Sequence, residues 1–130
     1  MSLDSRSSNS DPLSIDALWS RYAATWSLPD ALRSSELAAC LSEDVTYCDP
    51  QEMVAGRGAL STYMGQFQQA FPGMAFRIDS TLQHHDRTLA AWSLCDPSGT
   101  VHQRGTSFAA LADDGRLGAI TGFFEPPAGA

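Results

Sequence analysis

Asp49 stands directly before Pro50, at the end of the run "DVTYCD", whose β-branched and aromatic residues read as a strand. A residue before proline is driven toward extended backbone, so Pro50 pins Asp49 at a strand end, and the loop that follows can leave the carboxylate facing a cavity. A carboxylate in apolar surroundings is poorly solvated and is a stronger base for it. The same dipeptide also reads as a plain turn in which the side chain accepts backbone N–H bonds. Tyr22 shares a helical stripe with Leu18, Trp19 and Trp26, so it points inward and its hydroxyl needs a partner. That partner is either a polar group of the core or a group of a ligand.

His102 and Arg104 alternate within "TVHQRGTSF" and share one strand face with Thr106 and Phe108, while Val101, Gln103, Gly105 and Ser107 share the other. Only one face of a regular strand lines a cavity. In one register Ser107 is inside, with His102 and Arg104 outside or at a dimer contact. A slip of one residue brings His102 and Arg104 in as base and anion clamp. Trp26, Met53, Phe67, Trp92, Ile120 and Phe124 are the candidate apolar walls for a substrate, with Met74 and Phe76 beside them.

His84, His85 and Asp86 invite a metal reading, but adjacent histidines in a strand or tight turn point apart, so the segment reads as a hairpin tip and no metal is expected. Cys48 points away from Asp49 and reads as a core thiol. The sequence shows no phosphate loop, dinucleotide fingerprint or G-x-S-x-G elbow, so no cofactor is expected and serine-hydrolase chemistry is set aside.

These residues need elements to position them. Ile15, Leu18, Trp19, Tyr22, Ala23 and Trp26 predict an amphipathic helix, with Asp11 as N-cap and Pro12 in the first turn. "SLPDALRSS" breaks it, and "ELAACL" (Glu36 to Leu41) predicts a short second helix capped by Ser34 or Ser35. After the loop "PQEMVAGRG", Leu60, Tyr63, Met64, Phe67 and Phe71 predict a third helix, stopped by Pro72-Gly73. The period then changes, and "MAFRIDSTLQ", "TLAAWSLC", "TVHQRGTSFAAL" and "RLGAITGFFE" predict an antiparallel meander. Three helices followed by hairpins define an α+β domain whose curved, mostly antiparallel sheet wraps the helices.

The chain of 130 residues is one domain's worth, read as a disordered leader over 1–11, a single domain over 12–127 and a short tail over 128–130. A net charge of −7 with no basic stripe repels a phosphate backbone, so nucleic acid is not an expected partner. No apolar run is long enough to span a bilayer, the N-terminus lacks a signal-peptide core, and Cys40, Cys48 and Cys95 read as reduced thiols. A soluble, cytoplasmic protein is expected.

The order of elements resembles the NTF2-like superfamily of cone-shaped α+β domains, and within it the SnoaL-like polyketide cyclases and ketosteroid isomerases. "RY" in the first helix, "LSEDVTYCDP", "GRGAL" and "FAALADDGRLGAI" carry the resemblance, which covers roughly residues 13 to 126. It implies that Asp49 is a general base and Tyr22 an oxyanion donor. Where the isomerases place a protonated acid on the penultimate strand, this chain has Ser107, with Thr106 beside it. A hydroxyl is a weaker donor than a neutral carboxylic acid, so the resemblance points to isomerase, cyclase or dehydratase chemistry in general rather than to steroid isomerisation. It further implies an apolar small-molecule ligand and a homodimer formed through the sheet; the alternative is a non-catalytic ligand-binding or dimerisation module of the same fold.

Overall fold

The computed structural model describes residues 14–124, so the expected leader, the tail and the Asp11–Pro12 start fall outside the described residues. Helix α1 (Ile15–Thr25) is capped by Ser14, whose Oγ accepts the Ala17 N–H at 3.1 Å, and it buries Leu18, Trp19, Tyr22 and Ala23 on one stripe. Trp26 follows as its C-terminal cap.

Helix α2 (Asp30–Cys40) starts at Asp30, not at Glu36 as expected, and Leu41 already belongs to the next strand. Pro29 precedes it with φ −66°, a value ready for helix entry, and Asp30 places a negative charge in the first turn. The segment that reads as a breaker is therefore a helix start. Buried Arg33 anchors it, donating to Ser61 Oγ and to the Leu28 carbonyl, each at 2.9 Å, which ties α2 to helix α3 (Arg57–Ala70).

The strands are β1 (Leu41–Cys48), β2 (Met53–Ala55), β3 (Ala75–His84), β4 (Arg87–Cys95), β5 (Val101–Leu111) and β6 (Leu117–Phe124). They form one open sheet in the order β2-β1-β6-β5-β4-β3, antiparallel throughout except for the parallel β1–β6 pair. β2 lies inside the expected loop; three residues carry too little alternation to announce a strand, and it exists because Met53 pairs with Cys48 across a tight turn. Register breaks at Ile78/Ser80, Leu94/Cys95 and Ala110/Leu111 bend the sheet around the helices.

Leu37, Leu41, Leu60, Met64, Leu117 and Ile120 are buried between the helices and the sheet, each such side chain contributing about 1.5–3 kcal/mol by burial. Trp19 Nε1 donates to Thr88 Oγ1 at 2.9 Å and fixes α1 on β4. Because β1 runs beside β6 and β6 beside β5, the end of β1 sits next to Gly122, which pairs with Ser107. Among the described residues no helix is long and apolar enough to cross a membrane.

Candidate functional site

A cavity of about 340 Å³ opens between the helices and the inner face of β3–β6. Trp26 is its hub, with ring centroids of Tyr47, Tyr63, Phe67 and Phe76 all within 5.5–5.8 Å. Trp92 meets Phe76 edge-on at 5.1 Å and Phe124 at 6.0 Å. Trp26, Phe67, Trp92 and Phe124 lie on the wall, as do Met74 and Phe76, and Asp49, Tyr22, Ser107 and His102 join them.

Three expected residues are not on that wall. Met53 is 75% exposed on edge strand β2, whose presence turns its side chain away from the helices. Ile120 faces inward but is packed solid in the core, away from the cavity. Arg104 lies on the outer face of the sheet, opposite Ser93.

Asp49 answers to both readings of its sequence position, one with each carboxylate oxygen. Oδ1 accepts the Gln51 and Glu52 N–H groups at 2.8 and 3.0 Å, closing the turn that Pro50 begins. Oδ2 accepts the Tyr47 hydroxyl at 2.7 Å and the Tyr63 hydroxyl at 2.9 Å. Every contact donates to the carboxylate. Burial drives the Tyr47 and Tyr63 phenols well above the usual tyrosine range, and the neighbouring Asp49 charge adds to both shifts.

Tyr22, the expected partner, lines the same cavity without being one of the groups bonded to Asp49. Its phenol is held protonated above the usual range by burial, which the Trp26 indole opposes and the Asp49 charge reinforces. The sequence pattern assigns Tyr47 and Tyr63 to a strand and a helix without a site role, although signals for one exist. Tyr47 stands two residues before Asp49 and so shares its strand face, and Tyr63 sits on the stripe with Leu60, Met64 and Phe67.

Ser107 is on the inner face and accepts the Trp92 indole N–H at 3.0 Å. The indole packs against Gly105: a Cβ there would be 2.3 Å from Trp92 Cζ2. A Cβ at Gly122 would stand 3.4 Å from Ser107 Oγ and 3.8 Å from Asp49 Cβ, so this glycine keeps the polar end of the cavity open.

Neither expected arrangement of His102 and Arg104 is observed, because a bulge separates them. Leu94 pairs with Gln103 and Cys95 with Val101, which leaves His102 as the extra residue, turned to the cavity mouth while Arg104 stays outside. His102 Nε2 lies 2.8 Å from Asp96 Oδ2. His84 and His85, expected to diverge, instead bring their Nδ1 atoms to 3.2 Å at the β3–β4 turn, since His85 takes φ 54° and breaks the alternation. Among the described residues no group of three or more His, Cys, Asp or Glu is placed to hold a metal ion.

Three helices on an open, mixed six-stranded sheet, enclosing an apolar cavity with one carboxylate on its wall, define an NTF2-like α+β domain. The SnoaL-like domain family model matches residues 19–119, and the chain belongs to that family. Among solved structures, it is similar to a provisionally assigned isomerase of the SnoaL-like family from Agrobacterium tumefaciens, at 24% identity and TM-score 0.78 over 84% of this chain and 95% of that one. It is also similar to an NTF2-like protein of unknown function from Exiguobacterium, at 17% identity and TM-score 0.67 over 83% and 98%. A provisionally assigned ketosteroid isomerase from Kribbella flavida matches at 28% identity and TM-score 0.56 over 88% and 82%. No curated protein matches the chain.

Proposed function

We propose that the cavity binds an apolar, enolisable small molecule and that Asp49 removes a proton from the carbon next to its carbonyl. The C–H electron pair passes to the carbonyl oxygen as an enolate, and the Tyr22 hydroxyl with Ser107 or a water donates to that oxygen; the enolate then takes back the proton held by Asp49 at a different carbon, or its α-carbon bonds to a second carbonyl carbon of the same molecule, whose oxygen takes that proton. This is isomerase- or cyclase-type chemistry without a cofactor. The observation that carries it is one carboxylate on the wall of an otherwise largely aromatic cavity that Tyr22 and Ser107 also line. Solvent deuterium uptake at the α-carbon of aryl ketones and β,γ-unsaturated ketones tests it directly. The wild-type chain should catalyse exchange, and Asp49→Asn should abolish it with little loss of ketone binding; an equally active Asp49→Asn protein overturns the mechanism.

A second reading has its own observation. Asp49 Oδ1 is committed to the turn amides, a role that needs no turnover. Under that reading the domain sequesters its ligand, and neither protein exchanges deuterium although both bind the ketone.

The chain is further proposed to be a cytoplasmic homodimer joined through the outer sheet face. Leu82, Leu89 and Phe123 support the pairing, being 69%, 37% and 62% exposed on that face. Phe123→Asp should then shift the protein from dimer to monomer in sedimentation; a wild-type monomer overturns the pairing.

A further inference from the structure

We propose that His102 reads the far end of the ligand, selecting an elongated molecule that carries a hydroxyl at the end opposite its carbonyl; this rests on the reading of the cavity as a ligand site. Asp49 follows Cys48, which pairs with Thr121, and the next residue of β6, Gly122, pairs with Ser107. Asp49 and Ser107 therefore mark one end of the cavity. His102 lies five residues back along β5 from Ser107, which at about 3.3 Å per residue puts the two Cα atoms roughly 16 Å apart. Both line the same space, and between them the wall is mainly apolar, formed by Trp92, Phe76, Phe124 and Leu94, with Gln103 beside His102 at its end. A ligand that meets both ends is long, apolar in the middle and polar at its termini.

The hydrogen-bonding role of His102 follows from its partner. A carboxylate only accepts, so Nε2 carries the proton it shares with Asp96 Oδ2, and in the neutral ring Nδ1 keeps a lone pair that accepts an O–H. Asp96 is itself immobilised: its Oδ1 accepts Ser98 N–H at 2.9 Å, Ser98 Oγ at 2.7 Å and Thr100 N–H at 3.0 Å. The turn that carries it is seated against the α3–β3 connection, with Pro97 Cγ at 3.0 Å from where a Cβ would stand on Gly73. The imidazole is thus oriented from behind by a rigid turn, and the bulge in β5 presents it to the cavity mouth.

The test uses a matched pair of rigid probes, 4-acetylbiphenyl and 4-acetyl-4′-hydroxybiphenyl, titrated into the full chain with quenching of its tryptophan fluorescence and calorimetry as readouts. The wild type should bind the hydroxylated probe roughly threefold to tenfold more tightly, the ratio one added hydrogen bond supplies. His102→Ala should bring the ratio to about one while leaving the affinity for 4-acetylbiphenyl within about twofold, and His102→Gln, which keeps an acceptor, should restore part of it. Equal binding of the two probes by the wild type, or a ratio unchanged in His102→Ala, overturns the assignment of His102 alone. Failure of both probes to bind the wild type overturns it together with the reading of the cavity.

Discussion

The Tyr47 hydroxyl donates to Asp49 Oδ2 at 2.7 Å across two residues of one strand end, and Tyr63 reaches the same oxygen from α3 at 2.9 Å. The carboxylate is therefore a junction between sheet and helix as well as a group on the cavity wall. Hydrogen bonds to a charged group are worth about 1.5–3 kcal/mol, so Tyr47→Phe should destabilise the protein by about that much. Tyr63→Phe should cost less, because its side chain is only half-buried. Asp49→Ala, which strands the buried Tyr47 hydroxyl and two amides, should exceed either. Urea denaturation of the three variants ranks them, and an Asp49→Ala protein as stable as wild type would refute the junction.

Tyr22, Tyr47 and Tyr63 are all the tyrosines of the chain, and each phenol is held above its ordinary range, chiefly by burial. The native state keeps these protons where an unfolded chain loses them, near pH 10. The resulting stability is fully present below that pH and falls as pH rises beyond it. In an alkaline titration the phenolate absorbance should stay flat through pH 10 and then rise together with loss of the folded circular dichroism signal. A smooth phenolate titration centred on pH 10 in the folded protein would contradict this.

Gly105 is where the Trp92 indole lies against β5. Gly105→Ala places a methyl group into the ring and 2.6 Å from the Phe123 carbonyl, so the indole must leave and its bond to Ser107 must break. We expect a loss of about 1–3 kcal/mol and a changed tryptophan emission spectrum. Trp92→Phe should break the Ser107 bond without the clash, which separates the two effects.

Asp96 is held well below the usual carboxylate range, first by His102 and then by Ser98 and the Thr100 amide. With its folded value depressed, its contribution to stability is present above the ordinary aspartate value of about 3.9 and is lost as pH falls through the lower folded value. Carboxyl-carbon NMR should show Asp96 titrating late in the wild type and moving upward in His102→Ala. An unmoved Asp96 would mean that Ser98 and Thr100 alone hold it.

Helices α1 and α3 and the meander were legible in local pattern: the stripe of Leu18, Trp19 and Tyr22, the stripe of Leu60, Met64 and Phe67, and the alternation of β3 to β6 are set by spacing alone. Asp49 was legible too, because Pro50 restricts the residue before it whatever the rest of the chain does. Other features depended on contacts between distant segments. α2 begins at Asp30 with Arg33 bonded to α3, β2 exists only through its pairing with β1, and Asp49 meets Tyr63 rather than Tyr22 because of where α3 packs. The parting of His102 from Arg104 is the clearest case. Alternation predicts which residues share a face of a regular strand, but it is blind to a bulge, and the bulge arises from how β5 is held against β4. The amino-acid sequence by itself determined α1, α3, the meander of β3 to β6 and the carboxylate at the strand end; the tertiary structure alone decided where α2 starts, that β2 exists, and which hydroxyls and which imidazole face the cavity, since those depend on packing between segments far apart in the chain.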